Sequence, residues 1–262
     1  EYRLAPLDGH TPVIPVPPNP TPREVFPAQI LDVKAAIRWL RAHADDYGID
    51  PENVATWGSS AGSHLAALAG TVGDVEEVAG DVYPASAVEP TVYPDESGRV
   101  QAVIGWYTPT DFLAMDPQLG DTGWFSHDAP NSPESLLVGG QITENEARVQ
   151  RADPITYVDG DDPPFLLMHG EQDTTVPYEQ SEILFEALGD ACVDATLYVL
   201  DPLGHGFGFD QLTRKPVIDQ TVSRTDCRTS PGSGSPPDEQ TVEGPPAGPE
   251  VMEQFLDSHL SG

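Results

Sequence analysis

Apolar positions recur along this chain in two spacings. Ile30, Val33, Ala36, Ile37 and Leu40 fall three and four residues apart, which puts them on one face of a helix over residues 28–45. Asn53-Val54-Ala55-Thr56-Trp57 reads as a short buried strand, and residues 60–69, rich in Ala and Leu, as a second helix. Residues 100–107 and Phe165-Leu166-Leu167-Met168 are apolar runs too short for helices, so they predict further strands. Helical spacing returns over 176–188 with Pro177 in the first turn, 195–200 is another strand, and 249–260 is a closing amphipathic helix that opens on proline. Strands alternating with helices predict an α/β fold, a mostly parallel sheet with helices on both faces.

Two stretches break the alternation. Residues 108–162 carry Pro, Gly, Asp and two short helical patterns; they are too long for a simple connection and read as a lid-like insertion. Residues 208–248 are polar and Pro/Gly-rich, and read as a long loop before the last helix. The 262 residues fit one α/β domain, 1–262, with a core of its own. No internal repeat is visible.

Charge narrows the partners. Asp and Glu number 43 against 12 Lys and Arg, a net charge of −31. Such a surface repels nucleic acid and anionic lipid. It reads as a well-solvated surface, or as that of a protein from a salty habitat where screening relieves self-repulsion. No apolar run is long enough to span a membrane, and no signal peptide is visible. Cys192 and Cys227 are too few for a metal cluster or a disulfide scaffold, and nothing points to a metal or cofactor. They are either two free thiols or one bridge tying down the 208–248 loop; a bridge would favour an oxidising, extracellular setting over the cytoplasm.

The chemistry centres on Gly58-Ser59-Ser60-Ala61-Gly62, a G-x-S-x-G motif between a strand and a helix. That context makes a nucleophile elbow with Ser60 at its tip. Gly58 and Gly62 are expected to relieve crowding on either side of the serine. The helix N-terminus favours negative charge, so the Ala61 N–H is placed to donate to an oxyanion. Ser59 is out of register and should point away. A serine hydroxyl needs a base. His64, one turn along the same helix, and His169, ending a buried strand, read as packing or hydrogen-bonding residues. His43 reads as solvated or capping, and His10, His127 and His259 have no supporting context. His205 sits in Gly204-His205-Gly206-Phe207 just past a strand, at the carboxyl edge where open α/β sheets build their sites. Asp173 follows another strand at the same edge. Asp201 is a rival acid, but its closeness to His205 would cramp the geometry. Trp106, Tyr107 and Trp124 are candidates for an apolar substrate pocket, although Trp106 and Tyr107 read somewhat better as core.

Tyr2-Arg3-Leu4-Ala5-Pro6, the elbow within Trp57-Gly58-Ser59-Ser60-Ala61-Gly62-Ser63-His64, and His169-Gly170-Glu171-Gln172-Asp173-Thr174-Thr175-Val176-Pro177 resemble bacterial α/β-hydrolase esterases. The likeness is to the feruloyl/acetylxylan-esterase-like group related to hormone-sensitive-lipase-like esterases. Ser132-Pro133-Glu134-Ser135 and Ala152-Asp153-Pro154-Ile155-Thr156-Tyr157 extend it through the central insertion. The resemblance implies an α/β-hydrolase fold and cofactor-free carboxylic-ester hydrolysis through an acyl-enzyme. Ser60 would be the nucleophile, His205 the base and Asp173 the acid, in the chain order of that fold. Aromatic, acetylated-carbohydrate or polyester-type esters are the substrates it suggests. It also implies strands and a His-Gly-Gly-type oxyanion loop ahead of Tyr2, so the chain is expected to be a fragment whose second oxyanion donor lies upstream. The competing readings are a serine peptidase on the same fold and a non-catalytic binding protein that keeps it.

Overall fold

The structure, a computed structural model, describes residues 2–5, 24–73, 77–78, 82, 92–213, 219–225, 240–241 and 243–260. The predicted first helix forms as α1 (Ala28–Ala42) and a short α2 (Ala44–Tyr47), broken at His43. Strand β1 (Ala55–Ser59), helix α3 (Ala61–Thr71) and strand β2 (Ala102–Trp106) follow. The central stretch folds into α4 (Met115–Leu119), α5 (Pro133–Val138) and α6 (Glu146–Ala152), linked by 3₁₀ turns. Then come β3 (Phe165–Gly170), α7 (Glu179–Asp190), β4 (Ala195–Asp201) and α8 (Phe209–Thr213). Strands β5 (Asp219–Arg224) and β6 (Gln240–Thr241) precede α9 (Pro249–Leu260).

The six strands form one sheet in chain order. β1 to β4 run parallel, with Thr56 beside Val103, Val103 beside Phe165 and Phe165 beside Ala195. Strand alternation sorts the core into two layers. Val103, Phe165, Leu167 and Leu197 pack with α1, α3 and α7 on one face. Ile104, Leu166, Met168 and Tyr198 pack with Val251 and Met252 of α9 on the other. Helices thus cover both faces, and parallel β1 to β4 bring their carboxyl ends to one edge.

Three expectations need correction. β1 begins at Ala55 rather than Asn53 and is only half-buried, with Trp57 51% exposed; it has one hydrogen-bonded neighbour, β2, among the described residues. Helix α7 starts three residues after Val176, because the Asp173 carboxylate takes the N–H groups of Thr175 and Val176 into a turn. The 208–248 stretch is not all loop: it supplies α8 and two antiparallel strands, β5 pairing with β4 and β6 with β5. Cys192, between α7 and β4, is disulfide-bonded; Cys227, and with it the expected pairing, lies outside the described residues. No helix among the described residues is long and apolar enough to cross a membrane.

One buried cation ties the first layer together. Lys34 of α1 is fully buried and its ammonium donates to the carbonyls of Ala69 (2.8 Å), Val72 (2.7 Å) and Gly98 (3.0 Å). The first two close the open carbonyl end of α3, the helix that starts at Ser60. Lys34→Met would leave three buried carbonyls without a donor. It is expected to cost about 3 kcal/mol and to lower Tm by roughly 10 °C in a thermal melt followed by circular dichroism.

Candidate active site

Ser60 caps α3 with φ 53° and ψ −125°, a left-handed backbone that non-glycine residues seldom adopt. Such a conformation costs about 1–3 kcal/mol and needs surrounding structure to hold it. Here the Ser60 N–H donates to the Trp106 carbonyl at 3.0 Å, and the Ser60 carbonyl accepts from the N–H groups of Ser63 (2.9 Å) and His64 (3.0 Å). The elbow is pinned to β2 on one side and to α3 on the other. A Cβ on Gly58 would collide with the Gly62 carbonyl and lie 2.6 Å from the Ser63 nitrogen, so only glycine fits there. The same crowding was expected at Gly62, but a Cβ there would meet nothing within 4 Å. Ala61 is the first residue of α3, so its N–H has no intrahelical acceptor.

Asp173 follows β3 and His205 follows β4, and the structure brings both to Ser60. His205 Nε2 lies 3.0 Å from Ser60 Oγ, and His205 Nδ1 lies 2.7 Å from Asp173 Oδ2. The two loops are stitched together. The N–H groups of Glu171 and Gln172 donate to the carbonyls of Leu200 (3.0 Å) and Leu203 (2.9 Å). Gly170 permits this approach, since a Cβ there would strike the Leu203 carbonyl group. Asp201, the rival acid, accepts from the Gln172 side chain instead. Burial pushes the Asp173 carboxyl up, but the imidazoles of His169 and His205 beside it outweigh it and hold the group well below the usual carboxylate range.

Among the described residues, the other histidines sit in packing, hydrogen-bonding or surface positions, with one exception. His64 is buried and donates to the Ala152 carbonyl (2.7 Å); burial pushes its imidazole down to about 4. His169 is buried against Ser181 and Val176. His43 stacks on Trp39, and His259 faces the Phe255 carbonyl. His10 lies outside the described residues. Ser59 neighbours the Tyr107 hydroxyl. His127 is the exception: it is buried, 3.0 Å from Glu134, and its Nε2 donates to the Thr175 carbonyl at 2.8 Å. Burial alone would lower its imidazole, but the Glu134 carboxylate beside it raises it above its ordinary value. Sequence reasoning missed this pair because its third partner, Thr175, is 48 residues away.

A cavity of about 310 Å³ opens beside Ser60 and Ala61. Its apolar wall includes Leu65, Phe112, Phe125, Leu136, Leu137 and Val176, with His127 and Glu134 among its polar members. None of the three candidate aromatics lines this cavity, and Trp106 and Tyr107 are core, the reading slightly favoured for them. Trp106 is buried against Phe207 and Phe209, in the layer that packs on α9. Tyr107 packs 4.6 Å from the His205 ring and donates its hydroxyl to the Phe207 carbonyl. Trp124 is 56% exposed and donates to the Thr175 hydroxyl. Strand parity decides the first case, because Trp106 falls in register with Ile104, on the face opposite Val103.

A parallel sheet flanked by helices, with a left-handed serine after one strand and an acid and a histidine after two others, defines the α/β-hydrolase fold. The chain belongs to the BD-FAE family, whose model matches residues 19–188. Esterase LipQ of Mycobacterium tuberculosis is 33% identical over 207 residues, 78% of this chain and 44% of that protein. A truncated carbohydrate esterase from gut microbiota superposes with a TM-score of 0.60 at 34% identity, over 70% of this chain and 62% of that one. An acetyl ester-xyloside bifunctional hydrolase from Caldicellulosiruptor lactoaceticus gives a TM-score of 0.52 at 28% identity, over 72% of this chain and 61% of that one. The chain thus spans less than half the length of LipQ.

Proposed function

We propose that this protein is a serine carboxylic-ester hydrolase working through an acyl-enzyme. The observation that supports this best is the unbroken hydrogen-bonded series from Ser60 Oγ through the His205 imidazole to the Asp173 carboxylate. In this reading Ser60 attacks the ester carbonyl while His205 Nε2 takes its proton. Asp173 holds the imidazole by Nδ1 and stabilises the imidazolium as it forms. The carbonyl oxygen gains negative charge at the N-terminus of α3, where the Ala61 N–H is free to receive it. His205 returns the proton to the leaving alkoxide, and then activates the water that cleaves the acyl-enzyme.

The apolar cavity beside Ser60 takes the non-reacting part of the ester, and residues 108–162 act as the lid-like wall of a single domain, 1–262. Acetylated carbohydrates are the favoured substrate class, in line with the names of the two structural relatives, with aromatic and polyester-type esters next. Peptides are less suited, because the carboxylate in the cavity, Glu134, is already engaged by His127 rather than open to a substrate amine. A fluorophosphonate probe is expected to add its mass to the tryptic peptide carrying Ser60 alone. Acetylated xylo-oligosaccharides should be hydrolysed far faster than amides of matched acyl group. Labelling elsewhere, or amide turnover equal to ester turnover, would overturn the reading.

A further inference from the structure

The acid of the site has a second histidine. His169 is the penultimate residue of β3 and is completely buried. Its Nε2 lies 2.9 Å from the Val176 carbonyl oxygen and 3.4 Å from Asp173 Oδ2. Both neighbours are acceptors, so Nε2 carries a proton, which it donates to the Val176 carbonyl while its positive edge faces the Asp173 carboxylate. Its Nδ1 lies 2.7 Å from the Ser181 hydroxyl of α7, which fixes the ring plane. The same carboxylate accepts the Thr175 and Val176 N–H groups at Oδ1, at 2.8 and 2.9 Å. Asp173 is thus held between two imidazoles, His205 towards Ser60 and His169 towards the core. Among the described residues, the further titratable group against them is Tyr107, whose ring lies 6.5 Å from that of His169 and 4.6 Å from that of His205.

We propose that His169 is a positioning residue, whose Nε2–H dipole beside Oδ2 offsets part of the Asp173 charge and moderates its pull on the His205 proton. The proposal rests on the reading of Ser60, His205 and Asp173 as the catalytic set. Its physical content is a competition. A second N–H dipole 3.4 Å from Oδ2 draws on the same negative charge that holds the His205 proton, and in a buried site that pull is little screened. Without His169, the negative charge of Asp173 falls wholly on His205 and favours its protonated form. The base is then lost to protons at a higher pH. The Val176 carbonyl also loses its donor, which loosens the turn that aims Asp173.

The test compares wild type, His169→Leu, His169→Gln and Asp173→Asn, with rates normalised to serine reactive towards a fluorophosphonate. His169→Leu removes both ring nitrogens. It is expected to lower kcat about 10- to 100-fold, to leave KM within about twofold, and to move the acid limb of the kcat/KM profile up by about half a pH unit or more. His169→Gln keeps an N–H donor and should restore most of both. If His169 merely fills space, Tm and the reactive fraction fall but the acid limb stays in place, which would overturn the proposal while Asp173→Asn remains impaired. Full activity in Asp173→Asn would remove the underlying reading and this proposal with it. If His169→Leu does not fold, ¹⁵N spectra of ring-labelled wild type decide: the Nε2–H form supports the proposal and the Nδ1–H form sinks it.

Discussion

Ser60→Ala is expected to reduce kcat on p-nitrophenyl acetate by about 10⁵- to 10⁶-fold, with the fold intact. The size follows from what the substitution removes. The Ser60 hydroxyl makes one hydrogen bond of consequence, to His205 Nε2, while the backbone bonds that hold the elbow all use the Ser60 N–H and carbonyl. Alanine keeps both groups and has no branched Cβ to resist a φ of 53°. The variant should therefore melt within a degree or two of wild type and lose its reactivity towards fluorophosphonates. Turnover within tenfold of wild type would mean that another group performs the attack.

Asp173→Asn is expected to cost about 10⁴-fold in kcat. The asparagine oxygen can still accept the Thr175 and Val176 N–H groups, so its NH₂ must face His205 and His169. Donor then meets donor at His205 Nδ1. The imidazole escapes by moving its proton to Nε2, where it can no longer accept from Ser60. Stability should respond as well, with a definite sign. The folded Asp173 carboxyl titrates below its unfolded value, so its contribution to stability is complete above about pH 4 and fades as pH falls through the lower folded value. The Tm gap between wild type and variant is expected to be full near neutrality and to narrow steadily in acid. A gap that widened in acid would contradict the hydrogen bonding around this carboxylate.

The three strand-end residues were legible because each rests on local sequence. A glycine-flanked serine, a histidine between glycines and an aspartate before Val-Pro all follow apolar runs, and parallel strands align their ends without any knowledge of loop paths. β3 could be read from a run that is buried on both faces. β5 could not. Asp219-Gln220-Thr221-Val222-Ser223-Arg224 has one large apolar residue, and becomes a strand because β4 offers it a partner from elsewhere in the chain. The cavity wall was hidden for a similar reason. Part of it is built by α5 and the turns around it, whose packing depends on His127 reaching Thr175 and on Ser132 capping the helix through the Ser135 N–H. Apolar character left Trp106 between pocket and core, and it is strand parity that sends it to the opposite layer.

The backbone at Ser60 also restricts the chemical alphabet available to the site. Threonine offers the same hydroxyl, yet its branched Cβ is poorly accommodated at positive φ, and the elbow is anchored from both sides. Cysteine carries no branch and can occupy the same turn. The geometry therefore leaves the route to thiol chemistry open and closes the one to threonine, so the conformation at this position, before any question of reactivity, narrows which nucleophiles evolution or a designer can substitute here.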